Sequence, residues 1–236
     1  MTAAPRPSLP VLTVDGARDL VLGAPDGFTR VIATDADGTL WEGDVGDTLF
    51  MQVARDRDFR GEGLDALRAA GAHYLTAPPD DPLALAEALM ERYAAGHIAV
   101  EAMCVLQAVS VADRPLADLE LLYARAADAV IDRVRPAVRA LMDALARDGF
   151  VVHVVTASLG SLVRVALARA GLSAARVSGG ELDAVDGWAR PTLAVQIPVF
   201  HRKVEALTAA GDWPLPWAWA TAGGTRPSSR GATCRC

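Results

Sequence analysis

The stretch Val31-Ile32-Ala33-Thr34-Asp35-Ala36-Asp37-Gly38-Thr39-Leu40-Trp41 constrains this chain more than any other. A short apolar run delivers two carboxylates to its carboxyl end, and a Gly-Thr pair then turns the backbone away. Open α/β sheets build their sites at such strand ends. Asp-x-Asp-Gly also occurs in calcium loops, but an EF-hand loop places Gly sixth and Glu twelfth, and Gly38 comes fourth. That reading fails on spacing. A turn with two solvated Asp residues is the alternative left by this stretch alone.

A chain of 236 residues suits one α/β domain with an insertion. Its net charge is -6, with Lys and Arg scattered among acids, so no basic face for a polyanion is expected and nucleic acid is not an expected partner. Apolar residues reach 52%, yet they are largely Ala and Val between charges. No stretch approaches the roughly 20 apolar residues of a spanning helix, so no membrane association is expected. The opening MTAAPRPSLP is broken by Pro5, Pro7 and Pro10 and lacks the pattern of a secretory signal, which makes a cytoplasmic location the expectation. Cys104 stands alone in the body and Cys234 and Cys236 crowd the last residues, so no disulfide framework is expected.

Along the chain, Val11 to Val14 and Leu20 to Leu22 read as short strands or a hairpin. From Asp47 to about Arg133 the sequence is Ala-rich and helical, with no sustained strand alternation. Asp81-Pro82 is a helix start and Gly96 a stop. A segment from Pro115 carries Leu119, Leu122, Ala126 and Ile131 near the helical period. The run Arg55 to Arg60 reads as a solvated charged face. Pro136 opens a helix that stops at Gly149 and passes into a strand, Phe150 to Val155, within which His153 reads as a core histidine. Ser158 is expected to cap the next helix, which closes at Gly171. Ala175 to Val199 reads as short strands with turns at Gly179-Gly180 and Asp186-Gly187, and Phe200 to Leu207 begins a last helix.

VIATDADGTLW resembles the first signature of the haloacid dehalogenase superfamily, the aspartate-nucleophile phosphohydrolases. The resemblance implies a doubly wound parallel α/β sheet with an inserted helical cap: core at 1–45 and 134–216, cap at 46–133. It implies that Asp35 attacks phosphorus and that Asp37 protonates the leaving alcohol and later takes a proton from water. Gly38 and Thr39 of this signature join the expected phosphate-binding set. VVHVVTASLGSLVRVALARAGL looks like the second motif, with Thr156, Ala157 and Ser158 at the phosphate. HRKVEAL looks like the third and places Lys203, the single lysine of the chain, beside Asp35. A helical stretch between the first and second motifs resembles the phosphoserine phosphatase branch, in which an acidic residue matching Asp44 faces the substrate's amine. The implied partner is a small phosphorylated metabolite, and the implied cofactor is Mg2+, with Asp35 and Asp37 as metal ligands.

The fourth motif, an apolar run ending Gly-Asp-x-x-x-Asp whose acids complete the magnesium site, is absent. Residues 217–236 contain no acidic residue. Taking the third base of each codon with the first two of the next, Trp219-Ala220 forces Gly, and Ala220-Thr221 and Gly224-Thr225 permit Asp. The shifted frame can thus spell the missing motif. A frameshift near Pro216 is the hypothesis, with poor activity and a weakly ordered end as its expected consequences. Trp217 to Ala220 is the candidate to replace the lost strand. The rival reading is a non-catalytic phospholigand binder or degenerate paralogue. Transfer to another acceptor and dehalogenation are enzymatic rivals, and Asp37 argues against the second because dehalogenases need no acid for an alcohol leaving group.

Overall fold

A computed structural model describes residues 13–23, 30–212, 217–219 and 233–234. Val31–Thr34 form β1, and all of its residues are buried, as a strand covered on both faces requires. β3 (Val151–Leu159) pairs with β1 in parallel on one side, and β6 (Trp217–Trp219) pairs with it in parallel on the other. Beyond β3 lies β4 (Arg176–Val185), also parallel, which turns through Asp186-Gly187 into antiparallel β5 (Trp188–Val195). With β2 (Arg114–Pro115) and β7 (Thr233–Cys234) the order is β2-β5-β4-β3-β1-β6-β7. The chain thus builds outward from β1 on one side and returns to its other side at β6. That reversal makes the carboxyl end of β1 the switch point, where open α/β sheets hold their ligands.

Between β1 and β3 run α2 (Val45–Arg55), α3 (Gly61–Tyr74), α4 (Pro82–Ala94), α5 (Val100–Ser110), α6 (Leu116–Ile131) and α7 (Pro136–Arg147). Their starts follow local chemistry: Asp44 accepts from the Asp47 N–H at the head of α2, and Asp81 accepts from Ala84 at the head of α4 with Pro82 in its first turn. Leu49, Phe50, Leu67, Leu85, Leu89, Met103, Leu119 and Leu122 bury against one another in a core continuous with Val152 and Val154 of the sheet. Each such side chain contributes about 1.5–3 kcal/mol when fully buried. After β3, α8 (Gly160–Ala170) closes at Gly171 in the left-handed conformation, and α9 (His201–Ala209) precedes β6.

Several sequence expectations need correction. Val14–Leu22 is a helix, α1, capped by Thr13; Ala17 and Val21 pack on Leu141 and Leu145 of α7, a helical rather than alternating pattern. Val11 lies outside the described residues. β2 interrupts the helical stretch. The run at 55–60 is more than a solvated face, because Phe59 is buried and Asp58 accepts from the fully buried Arg114 at 2.8 Å. Gly179-Gly180 is no turn and lies inside β4. A Cβ on Gly179 would stand 2.6 Å from the Gly160 nitrogen, so glycine there lets the start of α8 press on the strand. The anticipated weakly ordered end falls mostly outside the described residues, but Trp217–Trp219 do form the strand beside β1.

Candidate active site

Asp35 follows β1 directly. Its Oδ2 lies 2.6 Å from Lys203 Nζ, and its Oδ1 accepts from the Ala36 N–H at 2.9 Å. Lys203 sits in the first turn of α9, which begins after Phe200 at φ +46°. A phenylalanine in that region costs about 1–3 kcal/mol and persists only where packing overrules it. The Phe200 ring packs against the core, next to buried Val199.

Asp37 is held by both oxygens. Oδ1 accepts from Trp41 Nε1 at 2.9 Å and from the Val45 N–H at 2.8 Å, while Oδ2 accepts from Ser158 Oγ at 2.7 Å. Thr156 Oγ1 stands 3.5 Å from Oδ2, a marginal contact. The turn that makes this possible uses Gly38 at φ +67°, with the Gly38 N–H donating to Gly43 O and the Thr39 and Leu40 N–H groups to Ala36 O. Burial, and then the Asp44 charge, push the Asp37 carboxyl up to about 7 against the opposing bonds from Val45, Ser158 and Trp41. The two N–H donors on Oδ1 cannot accept, so a proton carried by Asp37 belongs on Oδ2, where the Ser158 hydroxyl can turn to suit it.

Asp44 stands beside this group as the cap of α2. Burial, and then Asp47, push it up to about 6. Burial also raises Asp47, opposed by Gln107, whose Nε2 donates to it at 2.5 Å. A Cβ on Gly46 would lie 3.1 Å from both Asp44 Oδ1 and Ser158 Oγ, so the glycine keeps open the corner where these groups meet. The result is a partly buried cluster of acids beside which Lys203 pairs with the carboxylate at the strand end.

The profile of the haloacid dehalogenase-like hydrolase family matches residues 32–225, from β1 past β6. The chain belongs to that family. Among solved structures, a protein of unknown function from Anaerococcus prevotii aligns at TM-score 0.64 and 14% identity, covering 87% of this chain and 79% of that one. One from Bordetella pertussis Tohama I aligns at TM-score 0.61 and 17% identity, covering 84% of each. A haloacid dehalogenase family hydrolase from Salmonella enterica serovar Typhi aligns at TM-score 0.52 and 16% identity, covering 91% and 69%. At these identities the likeness shows the fold. None of the curated proteins matches the chain. No helix among the described residues is long and apolar enough to cross a membrane.

Within this haloacid dehalogenase-like fold, the structure brings Lys203 to Asp35 and Ser158 and Thr156 to Asp37, with Asp44 beside Asp37. Their partners differ in places from the expected ones. Ser158 does not cap α8; Leu159 holds the cap position without a side-chain bond, and the Ser158 hydroxyl serves Asp37. Thr156 Oγ1 accepts from the Ser158 N–H at 3.0 Å, fastening the strand end. Ala157 lies half-buried in β3. The Gly38 and Thr39 N–H groups are used inside the turn, and Thr39 Oγ1 is buried without a partner. Sequence reading missed Trp41, the Val45 amide, Asp47 and Gln107. Trp41 was legible only as an apolar residue, and nothing local ties Gln107 to Asp47.

Phosphatases of this family generally use Mg2+, which asks for oxygen ligands. No group of three or more His, Cys, Asp or Glu among the described residues is placed to hold a metal. Asp35 pairs with Lys203 through Oδ2, the Asp37 carboxylate is turned to Trp41, Val45 and Ser158, which leaves its backbone carbonyl, and the chain beyond Asp212 holds no acid. Mg2+ demands near-octahedral oxygen ligation. Asp35 and the Asp37 carbonyl are the protein ligands these residues would offer, so Mg2+ here would depend on water and substrate phosphate for the rest of its shell.

Proposed function

We propose that this chain is a phosphomonoester hydrolase of the phosphoserine phosphatase-like branch, acting on a small phosphorylated metabolite through an aspartyl-phosphate at Asp35. The observation that carries the reading is the 2.6 Å contact of Lys203 Nζ with Asp35 Oδ2 at the carboxyl end of β1. In this reading an Asp35 oxygen attacks phosphorus and the bond from phosphorus to the leaving oxygen breaks. That oxygen takes its proton from Asp37 Oδ2. A water then attacks the aspartyl-phosphate, Asp37 takes the water's proton, and inorganic phosphate leaves with Asp35 restored. Lys203 offsets phosphate charge, and the Thr156 hydroxyl is the candidate donor from β3. Helices α2 to α6 form the cap in this reading, with Asp44 facing the substrate.

The shortage of carboxylates favours a second reading, a phospholigand binder or degenerate paralogue with little turnover. Hydrolysis of p-nitrophenyl phosphate by the parent and by Asp35→Asn, with and without added Mg2+, separates the two. Turnover lost with Asp35 supports the hydrolase. Saturable binding of inorganic phosphate without turnover supports the binder.

A further inference from the structure

The far end of α9 is fastened to the sheet by a buried polar cluster that stands apart from Asp35 and Asp37. Asp212 closes the helix through its N–H to Leu207 O at 3.0 Å, and its carboxylate points inward, leaving the residue 3% exposed. Its Oδ2 lies 2.6 Å from Nδ1 of His153 on β3, and His153 Nε2 lies 2.8 Å from Ser178 Oγ on β4. Its Oδ1 pairs with Arg176 at the start of β4, and Arg176 Nη1 also donates to Ala210 O at 3.2 Å. The strand neighbours of His153 are valines, and an apolar residue in its place would avoid the cost of burying polar groups. The histidine therefore has to be accounted for by what it holds.

It holds a short rod. Nine residues of α-helix span about 13 Å and bend little. At the near end the rod leaves the strained Phe200 and carries Lys203; at the far end Asp212 joins it to β3 and β4. A displacement of the far end is transmitted to Lys203.

We propose that His153 is a positioning residue for Lys203: with Asp212 and Arg176 it latches α9 to the sheet and so sets the contact of Lys203 with Asp35. This rests on reading that contact as the phosphate centre. Because Lys203 is the single lysine, an amine reagent such as trinitrobenzenesulfonate, with the site located by peptide mass, reports its freedom directly. Asp35→Asn supplies the rate for a released Lys203. His153→Leu speeds labelling of Lys203 by about threefold or more, and His153→Asn, which keeps an N–H toward Asp212, returns it toward the parental rate. Arg176→Met acts on Asp212 from the more exposed side, speeds labelling in the same direction, and serves if His153→Leu does not fold by circular dichroism. Unchanged labelling in the folded variants overturns the latch. Inorganic phosphate tests the underlying reading separately: if it fails to slow labelling of the parent while the latch variants still speed it, the phosphate centre is wrong and the latch stands.

Discussion

β3 and β6 flank β1 on opposite sides, both in parallel, with Ile32 opposite Val152 on one side and Trp217 on the other. On the β3 flank the strand end brings Thr156 and Ser158 to Asp37. The β6 flank supplies the same backbone ladder, but the chain that continues from it has no carboxylate to offer. Strand pairing asks for extended backbone and apolar side chains, which Trp217-Ala218-Trp219 provide. Metal ligation asks for particular oxygen atoms at particular positions. A sheet can therefore have the same architecture on two flanks while only one of them carries polar groups to the strand end.

The largest effect is expected at Asp35. Asp35→Asn is expected to lower hydrolysis of p-nitrophenyl phosphate at least about a thousandfold. A variant as fast as the parent would show that the furnished flank serves some other purpose. Next comes Asp37→Asn, expected to cost about 10²–10⁴-fold on an alkyl phosphate and much less on an aryl phosphate whose leaving group needs no acid. Equal losses on both substrates would remove the proton-transfer role.

The poor flank is probed by titrating Mg2+ into the purified chain in a calorimeter, where no saturable micromolar binding is expected. A clone with the reading frame restored near Pro216 should gain Mg2+ affinity by at least about tenfold. Tight Mg2+ binding by the parent would refute the account of the β6 side, and sequencing the DNA over Leu207 to Cys236 tests the frameshift itself.

The smallest effect concerns the latch. Burial lowers the His153 pKa, opposed by Asp212 and assisted by Arg176. A histidine held below its unfolded value contributes stability above about pH 6.5 that is lost as pH falls toward the folded value. Asp37 and Asp44, raised to about 7 and about 6, act in the opposite sense, losing stability as pH rises. The difference in Tm between the parent and His153→Asn isolates the histidine. The parent should lose more Tm than the variant between pH 7 and pH 5, and equal losses would show that His153 accepts its proton in the fold as readily as outside it.

The sequence by itself determined the elements whose causes are local. An apolar run ending in Asp35-Ala36-Asp37-Gly38-Thr39 can hardly be other than a strand and a turn at a sheet's carboxyl end. Asp81-Pro82 and Gly171 mark helix ends because caps act within one turn, and a single lysine three residues into a helix was a strong pointer to Lys203. Only the tertiary structure decided the partners. Ser158 turned from helix cap to Asp37 donor because 121 residues of chain fold the strand end of β3 against the turn after β1. Gln107 met Asp47 and His153 met Asp212 across 60 and 59 residues. Gly179 proved a point of close approach rather than a turn for the same reason: which atoms press together across a sheet depends on its strand order, and no local pattern encodes that order.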